Sequence, residues 1–375
     1  MERSQAKAWT PICTTHLGLL YQAQQRFLHM TIRLTQARQR FGLYEICYHE
    51  TEMVTSGYAA YERYIMPHLF SPLTIAHKKL PNRIVMGSGV TGLAMTNGFV
   101  SDTLLNYYVR RAHGGVGLIV TEPVRVVPPA ASGTYAHIGL YDDAFVPQLR
   151  FLAQAVHSKG TRLIIMLDEP CAAAEMNARE LHTLAERFVQ AAWRALAADC
   201  DGVMLSVADR GVLHTIISPH LNRRFDVYGG TLTERLRLPL QIIEGIRAWL
   251  GNRLIVGFRL IADDFTTDGI TMHDARVIAR RVITAGVNLL DVTVDDHNTT
   301  VPVARFPGWT VPLADSIKRI VPEVPVMCSG LLGEPHLADS VIRDGSADLI
   351  MLRQTLRTHP DWPQTAYTTL VSTST

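Results

Sequence analysis

Leu254-Ile255-Val256-Gly257-Phe258-Arg259-Leu260 is an apolar run broken by a single arginine near its end. A strand apolar on both faces suits a parallel sheet covered on each side, because neither face meets water. Seven further runs of this kind can be picked out: Arg83–Met86, Gly117–Thr121, Arg162–Leu167, Gly202–Leu205, Leu289–Val294, Val324–Cys328 and Ala347–Leu352. Helical patterns lie between them. In Arg179–Ala198, the residues Leu181, Leu184, Phe188, Ala191, Ala192 and Ala195 form one stripe. Thr231–Leu250 repeats the pattern, with Thr231 as N-cap and Glu234 completing a capping box.

Eight strands alternating with helices close most naturally as a (β/α)8 TIM barrel. A doubly wound sheet would call for a Gly-rich first turn, and no G-x-G-x-x-G follows Arg83–Met86. In a barrel the chemistry gathers where strands end, since the βα loops meet there. That rule selects Gly87–Gly89, Glu122, Asp168 and Glu169, Ser206 to Asp209, Arg259 with Asp263 and Asp264, Asp295 to His297, Ser329-Gly330, and Arg353.

The 375 residues are 19% charged and 47% hydrophobic, with a net charge of +2. This is a globular composition whose charge argues for neither nucleic acid nor an anionic membrane as partner. The five cysteines are scattered without a C-x-x-C, so disulfides, zinc and an iron–sulfur cluster are not expected and a cytoplasmic location is. Asp295-Asp296-His297 reads as a solvated loop rather than a metal site. Residues 3–44 contain no acid but carry Arg3, Lys7, Arg26, Arg33, Arg38 and Arg40. This is the composition either of a targeting segment or of an extension ahead of a start at Met66. The expected organisation is an extension over 1–65, a barrel over 66–362 and a C-terminal tail over 363–375.

Ser218-Pro219-His220-Leu221-Asn222-Arg223-Arg224-Phe225-Asp226-Val227-Tyr228-Gly229-Gly230 resembles the loop after the fourth barrel strand of the old yellow enzyme family. These are FMN-dependent NAD(P)H oxidoreductases that reduce activated alkenes. Leu80–Met86 and Gly114–Glu122 are similar to that family's first and second strands, and the resemblance runs over about residues 66–362. It implies that Phe70 to Asn82 is a hairpin plugging the barrel bottom. It also implies FMN as cofactor, NAD(P)H as reductant and a small molecule as substrate. Arg259 then lies beside the flavin N1–C2=O edge, Ser88 touches the cofactor, and Gly330-Leu331 with Arg353-Gln354 receive its phosphate. A substitution Arg259→Ala is expected to release the flavin and leave the barrel folded.

The chain departs from the family where substrate is handled. Met166 stands where a Gln binds the flavin pyrimidine, and Asp168-Glu169 replace a Trp-His pair. Ser206, Asp209 and Gly211 replace a His, a second His or Asn, and a Tyr. Ser206 and Asp209 are the candidate catalytic residues, and ordinary ene-reduction is expected to be feeble. Several plainer readings stay open. Arg259 could pair with Asp263 or Asp264, Met166 could be core, Arg353 could be an ion-paired residue, and His214 could be a buried helix-face residue. An acid–base isomerase, lyase or cyclase and a non-catalytic barrel are the competing functions.

Overall fold

The computed structural model describes residues 68–129, 137–170, 173–208, 210–295 and 305–372. The expected extension over 1–65, Asp209, and Asp296-His297 lie outside the described residues. After a 3-10 turn at His68–Phe70, the described residues form a hairpin, β1 (Leu73–Ile75) and β2 (Lys78–Leu80), paired antiparallel with Leu73 opposite Leu80. Its Ile75 and Leu80 are buried among the residues that fill the barrel interior, which makes the hairpin the bottom plug that the resemblance implied.

The barrel follows. Its first part is β3 (Ile84–Met86), α1 (Asp102–His113), β4 (Leu118–Val120), a short β5 (Val124–Arg125), α2 (Val146–His157), β6 (Arg162–Asp168), α3 (Ala178–Ala197) and β7 (Gly202–Ser206). Next come α4 (Val212–Ile217), α5 (Leu232–Arg235), α6 (Arg237–Leu250), β8 (Ile255–Ile261), α7 (Met272–Ala285) and β9 (Leu289–Thr293). The last part is α8 (Val311–Lys318), β10 (Val326–Cys328), α9 (Pro335–Arg343), β11 (Leu349–Met351), α10 (Arg353–Thr358) and α11 (Trp362–Ser372).

Among the described residues, β3, β4, β6, β7, β8, β9, β10 and β11 pair in parallel in that order, and β11 returns to β3. This is the (β/α)8 barrel expected from the eight apolar runs. Inward-facing residues alternate along each strand, so Val120, Ile164, Met204, Leu289, Met327 and Leu349 pack into one lumen. The helical stripe of α3 is buried as read, and its Asn177 accepts from Arg179 N and Glu180 N. Residues 363–372 of the expected tail lie in α11, where Trp362, Ala366 and Leu370 are buried.

One helix differs from expectation. Thr231–Leu250 is two helices that break at Leu236, not one. Pro239 has no N–H to give to the turn before it, so α6 must restart with the proline in its first turn. The Glu234 carboxylate still accepts from Thr231 N at 2.8 Å and from Thr231 Oγ1 at 2.9 Å.

Candidate active site

Strand register decides which side chains share the upper rim of the lumen. Ser206 on β7 is paired with Arg259 on β8, and Arg259 with Asp291 on β9. Arg259 is 6% exposed, and its Nε donates to Asp291 Oδ2 at 2.7 Å. Its two terminal nitrogens lie 3.9 Å from Met166 Sδ and 3.4 Å from Met351 Sδ. The guanidinium is therefore held by one carboxylate on the neighbouring strand, with a thioether sulfur facing each terminal nitrogen.

Neither neighbour named from the sequence is that carboxylate. Asp263 accepts from Phe265 N at 2.8 Å, and Asp264 from Ser218 Oγ at 3.1 Å and Thr266 Oγ1 at 3.1 Å. Asp291 escaped the sequence reading because it sits inside a strand and not in the loop beyond it. Its signal was an isolated acid two residues after Leu289, on the same face as Arg259 in the parallel register. Burial and the nearby Asp291 charge push the adjacent Cys328 thiol up to about 12.

Above Arg259 opens a cavity of about 300 Å³, at the low end for small-molecule sites. Arg259, Gly330, Arg353 and Gln354, four of the candidate residues, share its wall. Residues unnoticed in the sequence also line it, notably Arg305, Thr310 and Met351. No carboxylate contributes to that wall among the described residues.

The turn after β10 is built unusually. Gly330 has φ +109° and Leu331 has φ +58°. A Cβ on Gly330 would come within 2.4 Å of Thr310 Oγ1. Leu331 pays for its position in local strain, since the left-handed region costs a non-glycine residue about 1–2 kcal/mol. Its side chain is 52% exposed, so no packing of its own compensates for that conformation. Backbone held in this way at a cavity wall is the usual mark of a ligand-binding turn.

Arg353 and Gln354 open α10. Arg353 makes no hydrogen bond or ion pair with any described residue, so the ion-paired reading is not what the structure holds. Its stem crosses the space beside Gly89, where a Cβ would lie 2.8 Å from Arg353 Cδ. Ser88 is 2% exposed and lines neither this cavity nor the next, although Gly87 and Gly89 on either side line the latter.

The remaining candidates are dispersed. Ser206 is fully buried and its Oγ finds no partner among the described residues. Glu169 is tied to Arg125 at 3.0 Å and accepts from Val127 N at 3.2 Å; burial raises its carboxyl against that pairing. Asp168 Oδ1 accepts from Glu169 N, and a Cβ on Gly211 would meet that oxygen at 2.1 Å. Asp168 thus occupies the space into which any side chain at 211 would project. Glu122 Oε2 accepts from Thr91 N and Thr91 Oγ1, and burial raises its carboxyl. His214 is 1% exposed and bonded within its own turn, with Nδ1 accepting from Arg210 N at 3.3 Å. Met166 is a fully buried lumen residue, as its plainer reading held.

Similarity to known proteins places the chain in a family and agrees with the barrel fold. The profile of the NADH:flavin oxidoreductase / NADH oxidase family matches residues 68–170 and 166–372. An NADH oxidase of Thermoanaerobacter brockii is 34% identical over 80% of this chain and 50% of its own length. An NADPH dehydrogenase of Geobacillus sp. (strain WCH70) is 30% identical over 80% of this chain and 93% of its own. The structure of morphinone reductase in complex with tetrahydroNAD superimposes with a TM-score of 0.67 at 22% identity, covering 81% of this chain and 91% of that one. The chain spans about half the length of several curated relatives that it matches. Among the described residues, no helix is long and apolar enough to cross a membrane.

Proposed function

Since the chain belongs to the NADH:flavin oxidoreductase / NADH oxidase family, we propose that its barrel mouth binds FMN and carries electrons from NAD(P)H to a small organic acceptor. The observation that carries this reading is the 300 Å³ cavity walled by Arg259, the Gly330-Leu331 turn and Arg353, with no carboxylate in its lining among the described residues. Such a wall suits a ligand with a phosphate at one end and a hydrogen-bond-accepting edge at the other.

The residues fit the cofactor in three respects. Arg259 offers a fixed charge to the ring edge, the left-handed turn at 330–331 can present backbone N–H groups to a phosphate, and Arg353 supplies a guanidinium with no internal partner. The fit is looser at Met166, whose thioether gives no N–H to a carbonyl. Bound there, FMN would supply two-electron, hydride-transfer chemistry between reductant and acceptor.

This chain's own residues do the rest. Asp291 and the two thioethers hold Arg259 in one orientation, so the charge is in place before any ligand arrives. Ser206, whose Oγ has no partner among the described residues, is the proposed donor to an acceptor oxygen, from a fully buried position behind the cavity wall. Asp209 completes the proposed substrate pair. Gly211 carries no proton donor, and the Asp168 carboxylate fills its place, so reduction of simple enones is expected to be weak.

The acid–base alternative draws little support. Glu169 and Glu122 are each engaged with neighbours instead of converging on one cavity. Cytoplasmic placement remains part of this proposal and rests on the scattered cysteines. The test is the absorption spectrum of the isolated protein. Yellow protein that releases FMN on heating, with slow NADH consumption on cyclohexenone, is the expected result. Colourless protein that takes up no added FMN overturns the reading.

A further inference from the structure

A second cavity, of about 420 Å³, lies on the other side of Arg353. Its walls are the 87–93 loop, Tyr107 on α1, and Arg353, Gln354 and Arg357 on α10. As in the first cavity, no carboxylate lines it among the described residues. Arg357, like Arg353, makes no side-chain hydrogen bond or ion pair with a described residue. Positions four apart on a helix stand about 6 Å from each other at Cβ, so two uncompensated guanidinium groups project from one helix face.

The walls are held in place from behind. Arg111 donates to Leu356 O at 3.1 Å, to Tyr107 O at 2.9 Å and to Arg357 O at 2.8 Å, locking the end of α10 to α1. On the opposite side, Thr91 N donates to the buried Glu122 at 2.9 Å and fixes the loop. Both guanidinium groups are solvent-exposed, and two like charges held on such a scaffold favour an anion that bridges them. A diphosphate has the matching spread of charge and accepts forked hydrogen bonds from both.

We propose that this cavity is a subsite for a nucleoside diphosphate group, the diphosphate bridge of the pyridine nucleotide reductant, with Arg357 as its dedicated ligand and Arg353 shared with the first cavity. The assignment to the reductant rests on the flavin reading, whereas the binding of a nucleoside diphosphate does not. The two cavities share Arg353 and Gln354 and differ in Arg357, which lines only the second.

The experiment uses the full chain loaded with FMN and titrates ADP by calorimetry, alongside the KM for NADH. Wild type is expected to bind ADP. Arg357→Gln should weaken ADP binding and raise the KM for NADH by tenfold or more at unchanged FMN content. Arg357→Lys should recover part of both losses, because it restores charge without the fork. ADP affinity unmoved by Arg357→Gln overturns the proposal. ADP that binds only flavin-free protein and is displaced by FMN also overturns it, by assigning the cavity to the cofactor. ADP affinity that depends on Arg357 while the KM stays fixed overturns the assignment to the reductant. Protein that takes up no FMN but still binds ADP through Arg357 leaves the diphosphate subsite standing and removes the flavin reading.

Discussion

Arg259 and Asp291 are a buried pair, with side chains 7% and 1% exposed. Breaking such a pair from one side strands a charge and costs about 3–5 kcal/mol, so the paired substitution is the fairer probe. The expectation that Arg259→Ala would leave the barrel undisturbed therefore changes. That variant should melt well below wild type, which confounds any loss of flavin. Arg259→Met combined with Asp291→Asn should regain most of the thermal stability and still fail to retain FMN. Full FMN occupancy in the double variant would refute the role given to Arg259.

A second buried carboxylate governs acid stability. Burial pushes Asp201 upward, but it is outweighed by hydrogen bonds from His157 and from Leu163 N, and by the charges of His157 and Arg162, so the carboxyl sits below its usual range. A depressed carboxyl contributes stability that is complete above its unfolded value, about 3.9, and is lost as pH falls through the folded value. Melting curves from pH 7 to 2.5 should show wild type losing stability below about pH 4, the range set by that unfolded value. Asp201→Asn should start lower at pH 7 and decline less steeply. Parallel curves would remove Asp201 from the account. Arg259 was legible in the sequence because a charge inside an apolar run draws notice. Asp291 was less legible, because what it pairs with is set by the register between two strands and not by its own segment.

At the scale of elements, the turn after β10 is the informative one. Leu331→Gly relieves a strained φ but adds unfolded-chain freedom, effects of about 1 kcal/mol each that oppose one another. Little change in Tm and equal or tighter FMN binding are expected. Gly330→Ala meets both the positive φ and Thr310, and should lose about 1–3 kcal/mol together with FMN affinity. A Gly330→Ala protein with unaltered Tm and FMN affinity would show that the turn tolerates a Cβ. Helix α3 supplies a control remote from the site, where Asn177→Ala should cost about 1 kcal/mol through its lost cap and leave FMN binding alone. Helix stripes and caps were legible from spacing alone. The break at Leu236 was missed because Pro239 lies inside an otherwise unbroken apolar period.

For the whole molecule, we propose that the barrel is self-sufficient from residue 66 onward but does not end at 362. Ala366 and Leu370 of α11 are buried, so a chain ending at 362 would expose apolar surface on the partners they cover. A chain of residues 66–372 is expected to melt near the full-length value, and one of residues 66–362 clearly lower. Equal Tm values for the two shortened chains would mean that α11 contributes nothing to the barrel.

The alternation of apolar runs and striped helices was enough to define the barrel from the sequence, because the period of burial is written locally in each segment. The same pattern placed Arg259 at a strand end, where barrels keep their chemistry. What faces Arg259 was decided only in three dimensions. Asp291 reaches it across 32 residues, and Arg125 withdraws Glu169 from the mouth across 44. The side on which Arg353 and Arg357 meet the 87–93 loop is likewise a matter of how α10 packs. Such pairings depend on register between distant strands and on side-chain direction, and a one-residue shift in either would bring different partners together while leaving every local pattern intact.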